Sequence, residues 1–504
     1  MTRATGEGTM NVLLITGDQW RGPMLGTLGH PLARTPGLDR LAATGVLFRR
    51  HHTVTVPCGP ARASLHTGLY LHNHRSVTNG TPLARHHANM ALEARKAGLA
   101  PRLFGYTDTS PDPEGLAPRD PRLFTYEGVL PGYDVGQTLH EDFKPWLSRL
   151  RRLGYRGLDT PAQAYDPADG RLGGPARFRA EHSETAFVAD AALDWLGTRA
   201  GRPWFAHVSF LRPHPPWTAP AEYLALHDPA RMQAPAPVAP AGLHPLLDAL
   251  RAQFPVSHLV PGRAGLARDL SAEDAAALRL TYCALMTECD HHVGRLLDWL
   301  DESGEAARTL VVFTADHGEY LGDHGLYGKV GFHPGAFHIP LLVRMPGGAA
   351  GRVVDAFTES VDVMPTVLHA LGLEVPFACD GASLAPWLRG EEPKAWREAV
   401  HWEVDYRTVL AGAGGAALGD DPDAAALSAR LTRDALYVHF ARGAPLLFDL
   451  VADPHGHRDL LREGAGADRA FAELSALMAW RMRREDRRLS NLRVGAKGLV
   501  RWRD

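Results

Sequence analysis

The sequence predicts an α/β protein with a mostly parallel central sheet and a smaller C-terminal α+β domain. Two short apolar segments, residues 12–16 and 309–314, have the length and composition of fully buried strands. A helical pattern over about residues 272–300, with apolar positions three and four apart, leads into the second of these strands. Because a helix followed by a buried strand is the repeating unit of parallel sheets, these segments predict an α/β architecture.

The order of the remaining elements predicts two domains. Residues 204–210 and 340–344 are further candidate strands, and the pattern changes after about residue 371. The later elements are short candidate strands at residues 401–408, 435–440 and 446–450 and a helix over about residues 470–484. We therefore expect one domain over residues 1–375 and a C-terminal α+β domain with an antiparallel sheet over residues 376–504. The basic end, residues 484–504, is either a flexible tail or an arm ordered by a partner subunit.

Composition excludes several classes of protein. The 504 residues include 54 Lys and Arg against 57 Asp and Glu, a net charge of −3, so nothing indicates nucleic-acid binding. Four cysteines without a C-x-x-C pair are too few for a disulfide scaffold, which favours a reducing compartment. No segment approaches the roughly 18 apolar residues of a membrane span, and the first strand is not preceded by a signal peptide's basic region. We expect a cytoplasmic protein without a membrane partner.

Polar pairs follow both buried strands directly. Asp18 and Gln19 come after the first strand, and Asp316 and His317 come after the second. The carboxyl ends of parallel strands meet at one edge of a sheet, where active sites of α/β proteins lie. Three oxygen donors and one imidazole favour Mn²⁺, Mg²⁺ or Ca²⁺ over a thiolate-binding metal. A single Asp-His pair would be read as a loop hydrogen bond, but two pairs after two buried strands favour a metal site.

The segment from residue 56 to residue 68 carries a specific motif, VPCGPARASLHTG. Cys58 is followed by Pro60 and Arg62, and then by Ser-Leu-x-Thr-Gly. The cysteine alone would be read as a buried thiol near a turn. Placed downstream of a strand that ends in Gly-Asp-Gln, the motif resembles that of the sulfatases of the alkaline phosphatase superfamily, in which C-x-P-x-R marks a cysteine that is oxidised to formylglycine.

The resemblance covers most of the chain and is strongest to phosphonate monoester hydrolases, which also hydrolyse phosphodiesters. The segments that carry it are residues 18–21, 57–71, 73–75, 105–107, 212–216, 316–329 and 449–460. Many sulfatases have Asp where this chain has Gln19, whereas the phosphonate hydrolases have Gln. This neutral amide is one reason to favour phosphorus chemistry.

The resemblance also implies a fold and a cofactor. The expected fold is an alkaline-phosphatase-like α/β/α sandwich. The expected cofactors are formylglycine, made from Cys58 by a formylglycine-generating or equivalent enzyme, and one divalent metal ion, with Mn²⁺ the first choice and Ca²⁺ or Mg²⁺ the alternatives. The implied metal ligands are Asp18, Gln19, Asp316, His317 and the oxidised Cys58. Hydrolysis would pass through a covalent intermediate on oxidised Cys58, because the hydrated aldehyde is a harder nucleophile than a thiol.

The resemblance assigns further residues to the substrate, a small anionic ester. Arg62 suits orienting the nucleophile, Lys329 suits binding an oxygen of the transferred group, and His214 suits contacting the substrate and protonating the leaving group. Asn79 and Tyr106 match polar residues that line the pocket of the phosphonate hydrolases. The chain departs from them at Asp108, which stands where they have a threonine. A carboxylate there would repel an anion, raise its own pKa or pair with a neighbouring cation.

We therefore expect a hydrolase of phosphonate monoesters and phosphodiesters with sulfatase side activity. The alternative is an arylsulfatase of the same fold. A non-catalytic binding protein is disfavoured because the expected site residues are present apart from the change at Asp108, and a metal-only phosphatase or phosphomutase is disfavoured by the C-x-P-x-R motif. The resemblance also implies a homo-oligomer, by analogy a tetramer.

Overall fold

A computed structural model describes residues 10–407, 421–496 and 498–501. Its largest feature is an eight-stranded sheet in the order β4-β3-β5-β1-β6-β7-β2-β8, which confirms the predicted α/β architecture. The strands are β1 (Asn11–Gly17), β2 (Val46–His52), β3 (Arg102–Gly105), β4 (Asp134–Thr138), β5 (Phe205–Phe210), β6 (Thr309–Ala315), β7 (Leu341–Arg344) and β8 (Arg352–Glu359). Only β7 runs antiparallel to its neighbours, β6 and β2.

Strand β1 lies at the centre of the sheet and is buried along its whole length. Its side chains alternate between two apolar clusters, one containing Val12 and Leu14 and the other containing Leu13 and Ile15. Since successive side chains of a strand point to opposite faces, both faces of the sheet are covered. The protein is therefore an α/β/α sandwich in this region, as predicted.

Helices cover the two faces of the sheet and fill its connections. They are α1 (Pro36–Thr44), α2 (Cys58–Thr67), α3 (Leu71–His74), α4 (Met90–Lys96), α5 (Lys144–Arg152), α6 (Pro161–Ala164), α7 (Glu184–Gly197), α8 (Ala221–Leu224), α9 (Pro245–Gln253), α10 (Ala272–Glu302), α11 (Val363–Ala370), α12 (Ala385–Leu388) and α13 (Ala467–Arg483). Helix α10 confirms the helix predicted before β6. It packs with α1 and α7 on one face, while α2, α4 and α11 contact one another on the other face.

A second, antiparallel sheet follows in the C-terminal part of the chain. Its strands, in the order β12-β11-β10-β9, are β9 (Val400–Asp405), β10 (Ala426–Leu431), β11 (Ala435–Phe440) and β12 (Leu446–Asp449). Helix α13 packs against this sheet and matches the helix predicted over residues 470–484. Residue 408, the end of the strand predicted at residues 401–408, lies outside the described residues. The domain boundary after residue 375 stays a prediction.

The basic end of the chain contains regular structure that the sequence did not predict. After α13, the strands β13 (Leu492–Gly495) and β14 (Gly498–Arg501) pair as an antiparallel hairpin. Residues 497 and 502–504 of the predicted tail lie outside the described residues. A role of this segment in contacting a partner subunit stays a prediction. In the described ranges, none of the helices combines the length and the apolar character needed to cross a membrane.

Candidate active site

The two polar pairs predicted from the sequence meet at the carboxyl edge of the main sheet. The β1–β6 register places Gly17 opposite Ala315, so Asp18 and Asp316 follow neighbouring strands at the same level. The backbone N–H of Gln19 donates a hydrogen bond to Oδ1 of Asp316 (3.1 Å). The Nε2 atom of His317 lies 3.7 Å from Oδ1 of Asp18 and 3.7 Å from Oδ2 of Asp316. The sheet therefore brings together the residues that the strand ends predicted.

Cys58 is the first residue of α2 and lies against this group. Its Sγ atom is 3.3 Å from Nε2 of His317 and 3.0 Å from Nζ of Lys329. The start of the helix is fixed by Asn79, whose Oδ1 accepts a hydrogen bond from the backbone N–H of Gly59 (2.8 Å). Asn79 thus holds the backbone beside Cys58, and the pocket-lining place that the sequence predicted for it stays a prediction.

The donor atoms of Asp18, Cys58, Asp316 and His317 fit a single divalent cation. One atom of each lies within 4.8 Å of the others. Oδ1 of Asp18 is buried and accepts no hydrogen bond from the described residues, although a buried acceptor is costly to leave unpaired. His317 donates from Nδ1 to the carbonyl of Gly318 (3.0 Å), so its Nε2 is the unprotonated atom. Two carboxylates and a neutral imidazole are suitable ligands for Mn²⁺, Mg²⁺ or Ca²⁺.

Gln19, the further predicted ligand, lies beside this group with its amide already in hydrogen bonds. Its Oε1 accepts a hydrogen bond from Nζ of Lys329 (3.1 Å), and its Nε2 donates to Oε2 of Glu319. These contacts fix the orientation of the amide, with the oxygen toward Lys329 and Cys58. The oxygen of the side-chain amide, which is its ligand atom, therefore lies next to Lys329 at the site.

Arg62 lies beneath the two carboxylates and is almost fully buried. Its Nε donates to Oδ2 of Asp316 and its Nη2 to Oδ2 of Asp18, both at 3.0 Å. The remaining nitrogen donates to Oγ of Ser209 (2.8 Å) and to the carbonyl of Tyr106 (3.2 Å). Arg62 therefore fixes both carboxylates and one side of the pocket. It has no hydrogen bond to Cys58 among the described residues, so it orients Cys58 only indirectly, through the two carboxylates.

The two carboxylates differ in their tendency to ionise. Burial disfavours the charged form of Asp18, but nearby His214 and Lys329 outweigh burial and lower its pKa. Burial and the charge of Asp18 raise the pKa of Asp316 to about 7. Because the two groups share one buried site, the first negative charge opposes the second. A bound dication would remove this opposition.

The thiol and the cations of the site are also shifted. Burial, and after it Asp18, raises the pKa of the Cys58 thiol well above its ordinary value. Burial and the charge of Lys329 lower the pKa of His317 far below its usual range, which keeps the imidazole neutral. Burial opposes the charge of Lys329, but Cys58 and Asp18 outweigh it and raise the pKa of the lysine. The site thus holds a permanent ammonium group next to a protonated thiol.

Tyr106 and Asp108 line the cavity in front of Cys58. The hydroxyl of Tyr106 donates a hydrogen bond to Oδ2 of Asp18 (2.5 Å), so this side chain also fixes a metal-ligand candidate. Asp108 has a left-handed backbone conformation with φ of 47° and is 7% exposed. Burial raises its pKa to about 8, against the lowering effect of Arg62. A raised pKa is one of the three effects expected for this carboxylate, and its effect on an anionic substrate stays a prediction.

His214 also lines this cavity and belongs to the loop after β5. Its Nδ1 donates to the carbonyl of Pro215 (2.6 Å), which leaves Nε2 as the second ring atom for a substrate. Nη1 of Arg212 donates to the carbonyls of His214 (2.9 Å) and Pro216 (2.6 Å) and holds the loop in place. Burial and Lys329 lower the pKa of His214 to about 4.

Two polar residues of the site were not singled out from the sequence. Ser209, which binds Arg62, lies near the carboxyl end of a predicted strand. The search for polar residues at strand ends, which found Asp18 and Asp316, could therefore have found it as well. Glu319 accepts hydrogen bonds from the backbone N–H groups of Leu321 and Gly328, both at 2.7 Å, and so shapes the loop that carries Lys329. The sequence signal that could have identified Glu319 is its position shortly after Asp316 and His317, in the segment Asp-His-Gly-Glu.

The C-terminal part of the chain supports the same loop from behind. The hydroxyl of Tyr406 donates to the carbonyl of Gly331 (3.0 Å). Nδ1 of His324 lies 3.1 Å from Nε2 of His457, in a hydrogen bond between neutral imidazoles. The position of Lys329 therefore depends on residues more than 70 positions further along the chain.

Comparison with known proteins agrees with this geometry. A family model described as Sulfatase matches residues 10–373. The chain belongs to the sulfatase family. The multifunctional alkaline phosphatase superfamily protein PehA of Trinickia caryophylli is 38% identical in an alignment that covers 97% of this chain and 98% of PehA.

A solved structure of similar length links this chain to the phosphonate monoester hydrolases within the sulfatase family. The phosphonate monoester hydrolase of Agrobacterium radiobacter superposes with a TM-score of 0.94 at 40% identity, covering 98% of this chain and 100% of its own. An arylsulfatase of Clostridium perfringens is 26% identical over 79% of this chain and 82% of its own length. The expected alkaline-phosphatase-like fold and the resemblance predicted from the motifs are confirmed.

Proposed function

We propose that this protein hydrolyses phosphonate monoesters and phosphodiesters, with slower hydrolysis of sulfate esters. The observation that carries the proposal is the position of Cys58, with Sγ 3.3 Å from the imidazole of His317 and 3.0 Å from the ammonium of Lys329. An ester bound over Cys58 would meet the nucleophile, the cation site and a fixed positive charge at once. The 40% identity to a phosphonate monoester hydrolase over nearly the whole chain supports phosphorus as the reacting centre.

Two groups absent from the chain itself belong to the proposal. A divalent cation, first Mn²⁺, held by Asp18, Asp316 and His317 with Gln19 and position 58, would supply Lewis acidity toward the ester oxygens and the attacking hydroxyl. Formylglycine made from Cys58 would supply, as its hydrate, an oxygen nucleophile in place of sulfur. The buried thiol, with its raised pKa, is by itself a poor nucleophile for a phosphorus ester.

The chain's own residues bind and orient the substrate. Lys329 keeps its proton and is placed to bind a non-bridging oxygen of the transferred group, which gains charge in the transition state. Arg62 keeps Asp18 and Asp316 in place, so the cation site does not rearrange during the reaction. Asn79 fixes the turn of α2 that carries the nucleophile.

His214 is placed to assist the departure of the alcohol. Its Nδ1–H is held by Pro215, so a second proton is carried by Nε2, the atom that would donate it to the leaving oxygen. The low pKa of the free protein keeps this histidine neutral at pH 7. A bound anionic substrate stabilises the imidazolium form and moves the pKa toward the working range.

A second candidate, an arylsulfatase, is favoured by the similarity to the arylsulfatase of Clostridium perfringens. The neutral amide of Gln19 argues for phosphorus, because the phosphonate hydrolases that this chain resembles have Gln at this position, whereas many sulfatases have Asp.

The test compares kcat/KM for an aryl phosphonate monoester, an aryl phosphodiester and an aryl sulfate on one metal-loaded preparation. We expect the two phosphorus esters to be preferred by at least about 100-fold, which corresponds to roughly 3 kcal/mol. A preference for the sulfate would make the arylsulfatase the better-supported candidate.

Mass spectrometry of the peptide containing Cys58 should reveal loss of sulfur and gain of one oxygen, and an active protein with an intact thiol would contradict the proposed nucleophile. Cys58→Ala is the matched inactive control.

A further inference from the structure

The loop that carries His214 has few backbone donors of its own. Three of the five residues 212–216 are prolines, which have no backbone N–H. The N–H of His214 donates to the carbonyl of Asp18 (3.1 Å), which joins the loop to a proposed metal ligand. The carbonyls of His214 and Pro216 are both bound by the side chain of Arg212. The position of the loop therefore depends on how this side chain is oriented.

Arg212 is fully buried and is held by an acidic residue. Its Nη1 atom binds the two loop carbonyls, while its Nε forms an ion pair with Oε1 of Glu184. Its guanidinium lies 5.0 Å from the centre of the ring of Tyr165. Among the described residues, Glu184 is the only acidic side chain within ion-pair distance of Arg212. Glu184 and the loop carbonyls therefore set the orientation of the guanidinium together.

Glu184 is itself fixed by secondary structure. It is the first residue of α7, and Ser183 caps this helix by accepting a hydrogen bond from the backbone N–H of Ala186 (3.1 Å). A helix N-terminus stabilises a negative charge, and the side chain of Glu184 is 1% exposed. Burial opposes the charge of Arg212, but Glu184 outweighs burial and raises the pKa of the arginine. The two side chains therefore form a buried pair of opposite charges.

Such a pair acts on orientation more than on stability. The cost of taking two charges out of water offsets most of their attraction, so a buried ion pair adds little net stability over apolar packing. Without Glu184, Arg212 would keep its charge and could turn toward a second nearby carboxyl, Glu288 of α10, whose pKa is raised by burial and then by Glu184. The carbonyls of His214 and Pro216 would then lose their donor.

We propose that Glu184 is a positioning residue for His214 and acts on it through Arg212. The contacts run from the start of α7 through the guanidinium to the loop backbone, where Nδ1 of His214 donates to the carbonyl of Pro215 (2.6 Å). This arrangement sets where Nε2 of His214 can deliver a proton, so it affects the departure of the alcohol rather than the attack on phosphorus. The inference rests on the proposed function, since it takes His214 as the donor of that proton.

The kinetic test compares phenyl and 4-nitrophenyl methylphosphonate, because 4-nitrophenolate leaves readily without a proton and phenolate does not. In Glu184→Gln, kcat/KM should fall about 10- to 100-fold for the phenyl ester, within the 10²–10⁴-fold typical of proton transfer, and less than about 3-fold for the 4-nitrophenyl ester. Glu181→Gln, an exposed residue three positions earlier, is the matched control and should keep both values. Equal losses for the two esters would overturn the inference, because they would indicate a general structural effect.

A double-mutant cycle tests whether the effect passes through His214. His214→Ala should cause the same selective loss, and adding Glu184→Gln to it should change kcat/KM by less than about 3-fold. A full additional loss in the double variant would contradict a role through His214. Arg212→Lys keeps the positive charge but lacks the planar fork, so it is the second variant if Glu184→Gln does not fold, and it should also affect mainly the phenyl ester.

A crystal structure of Glu184→Gln provides a readout that does not depend on activity. The carbonyls of His214 and Pro216 should no longer lie within hydrogen-bond distance of Arg212, and the imidazole should be displaced. A loop that keeps these contacts would exclude the proposed role. If both phosphonate esters resist hydrolysis by the wild type while aryl sulfates react, the proposed function fails, and phenyl and 4-nitrophenyl sulfate, together with this structure, still decide the role of Glu184.

Discussion

Two arginines, one buried and one partly buried, each hold a pair of carboxylates at the carboxyl edge of the main sheet, and the two sites differ in their other hydrogen bonds. At the end of β8, Arg397 binds Glu359 (3.0 Å) and Asp362 (2.5 Å). At the ends of β1 and β6, Arg62 binds Asp18 and Asp316. Each site therefore has two carboxylates and one guanidinium. We refer to the first as the Arg397 site and to the second as the Arg62 site.

The two sites differ in the hydrogen bonds that their carboxylate oxygens accept from groups other than the arginine. In the Arg397 site, Oε1 of Glu359 accepts from the backbone N–H of His401 (2.8 Å) and Oε2 accepts from the hydroxyl of Tyr70 (2.5 Å). Burial opposes its charge, but Arg397 outweighs burial and lowers the pKa of Glu359 to about 2. In the Arg62 site, Oδ1 of Asp18 has no donor among the described residues. Between these two sites, the number of buried charges is therefore the same, and the unpaired oxygen of Asp18 is what distinguishes the Arg62 site, where we propose that a cation binds.

Removing a ligand from the Arg62 site should have the largest effect. In Asp316→Asn, the amide oxygen still accepts from Arg62, but the negative charge that binds a dication is lost. We expect the metal content to fall well below one equivalent and kcat to fall by at least about 10⁴-fold, since metal binding stabilises the transition state by several kcal/mol. Metal analysis of the purified variant and steady-state kinetics measure both. Full metal occupancy in this variant would contradict the assignment of the site.

Breaking the Arg397 site should affect stability and leave the metal in place. Arg397→Met keeps much of the side-chain volume but leaves Glu359 and Asp362 buried without a cation, which costs about 3–5 kcal/mol. Urea unfolding followed by circular dichroism measures this loss. The folded variant should bind metal as the wild type does. Loss of metal from the folded variant would mean that the two sites are not independent.

Glu359 of the Arg397 site should make the stability of the protein depend on pH. The expected change in unfolding free energy is smaller than that caused by Arg397→Met. The pKa of Glu359 in the folded protein, about 2, lies below the ordinary value of 4.5, so its stabilising contribution is complete above pH 4.5 and is lost as the pH falls toward 2. Glu359→Gln removes this titration. The difference in unfolding free energy between wild type and variant should be about 2–3 kcal/mol at pH 6 and shrink steadily below pH 4.5. A difference that does not change with pH would exclude Glu359 as its source.

The sequence predicted the parts of the fold and the site that depend on strong local patterns. The strands before Asp18 and Asp316 are uniformly apolar, so they could be recognised and their ends compared. Strand β2 was missed because its second half is Arg49-Arg50-His51-His52, which a single-sequence reading takes for a surface segment. Strand β10 was missed because it is short and alternates between buried and partly exposed residues.

Other features of the site were beyond the sequence because they depend on the packing of distant segments. The motif placed Asp108 near the substrate, but its burial and its left-handed backbone depend on the packing of the surrounding segments, which no local pattern encodes. Likewise, Gln19 was predicted as a ligand, while its contacts with Lys329 and Glu319 arise from a loop 300 residues away. Asn79 was expected at the pocket wall, and its bond to the start of α2 became visible only in three dimensions.

The support that Tyr406 and His457 give to the Lys329 loop has a consequence for how this enzyme can be divided. A fragment ending at residue 373 would contain every proposed metal ligand and the nucleophile, yet it would lack the backing that holds the lysine over them. Catalytic competence is therefore a property of the whole polypeptide, and exchanging the C-terminal sheet with that of a relative would alter turnover before it altered metal affinity.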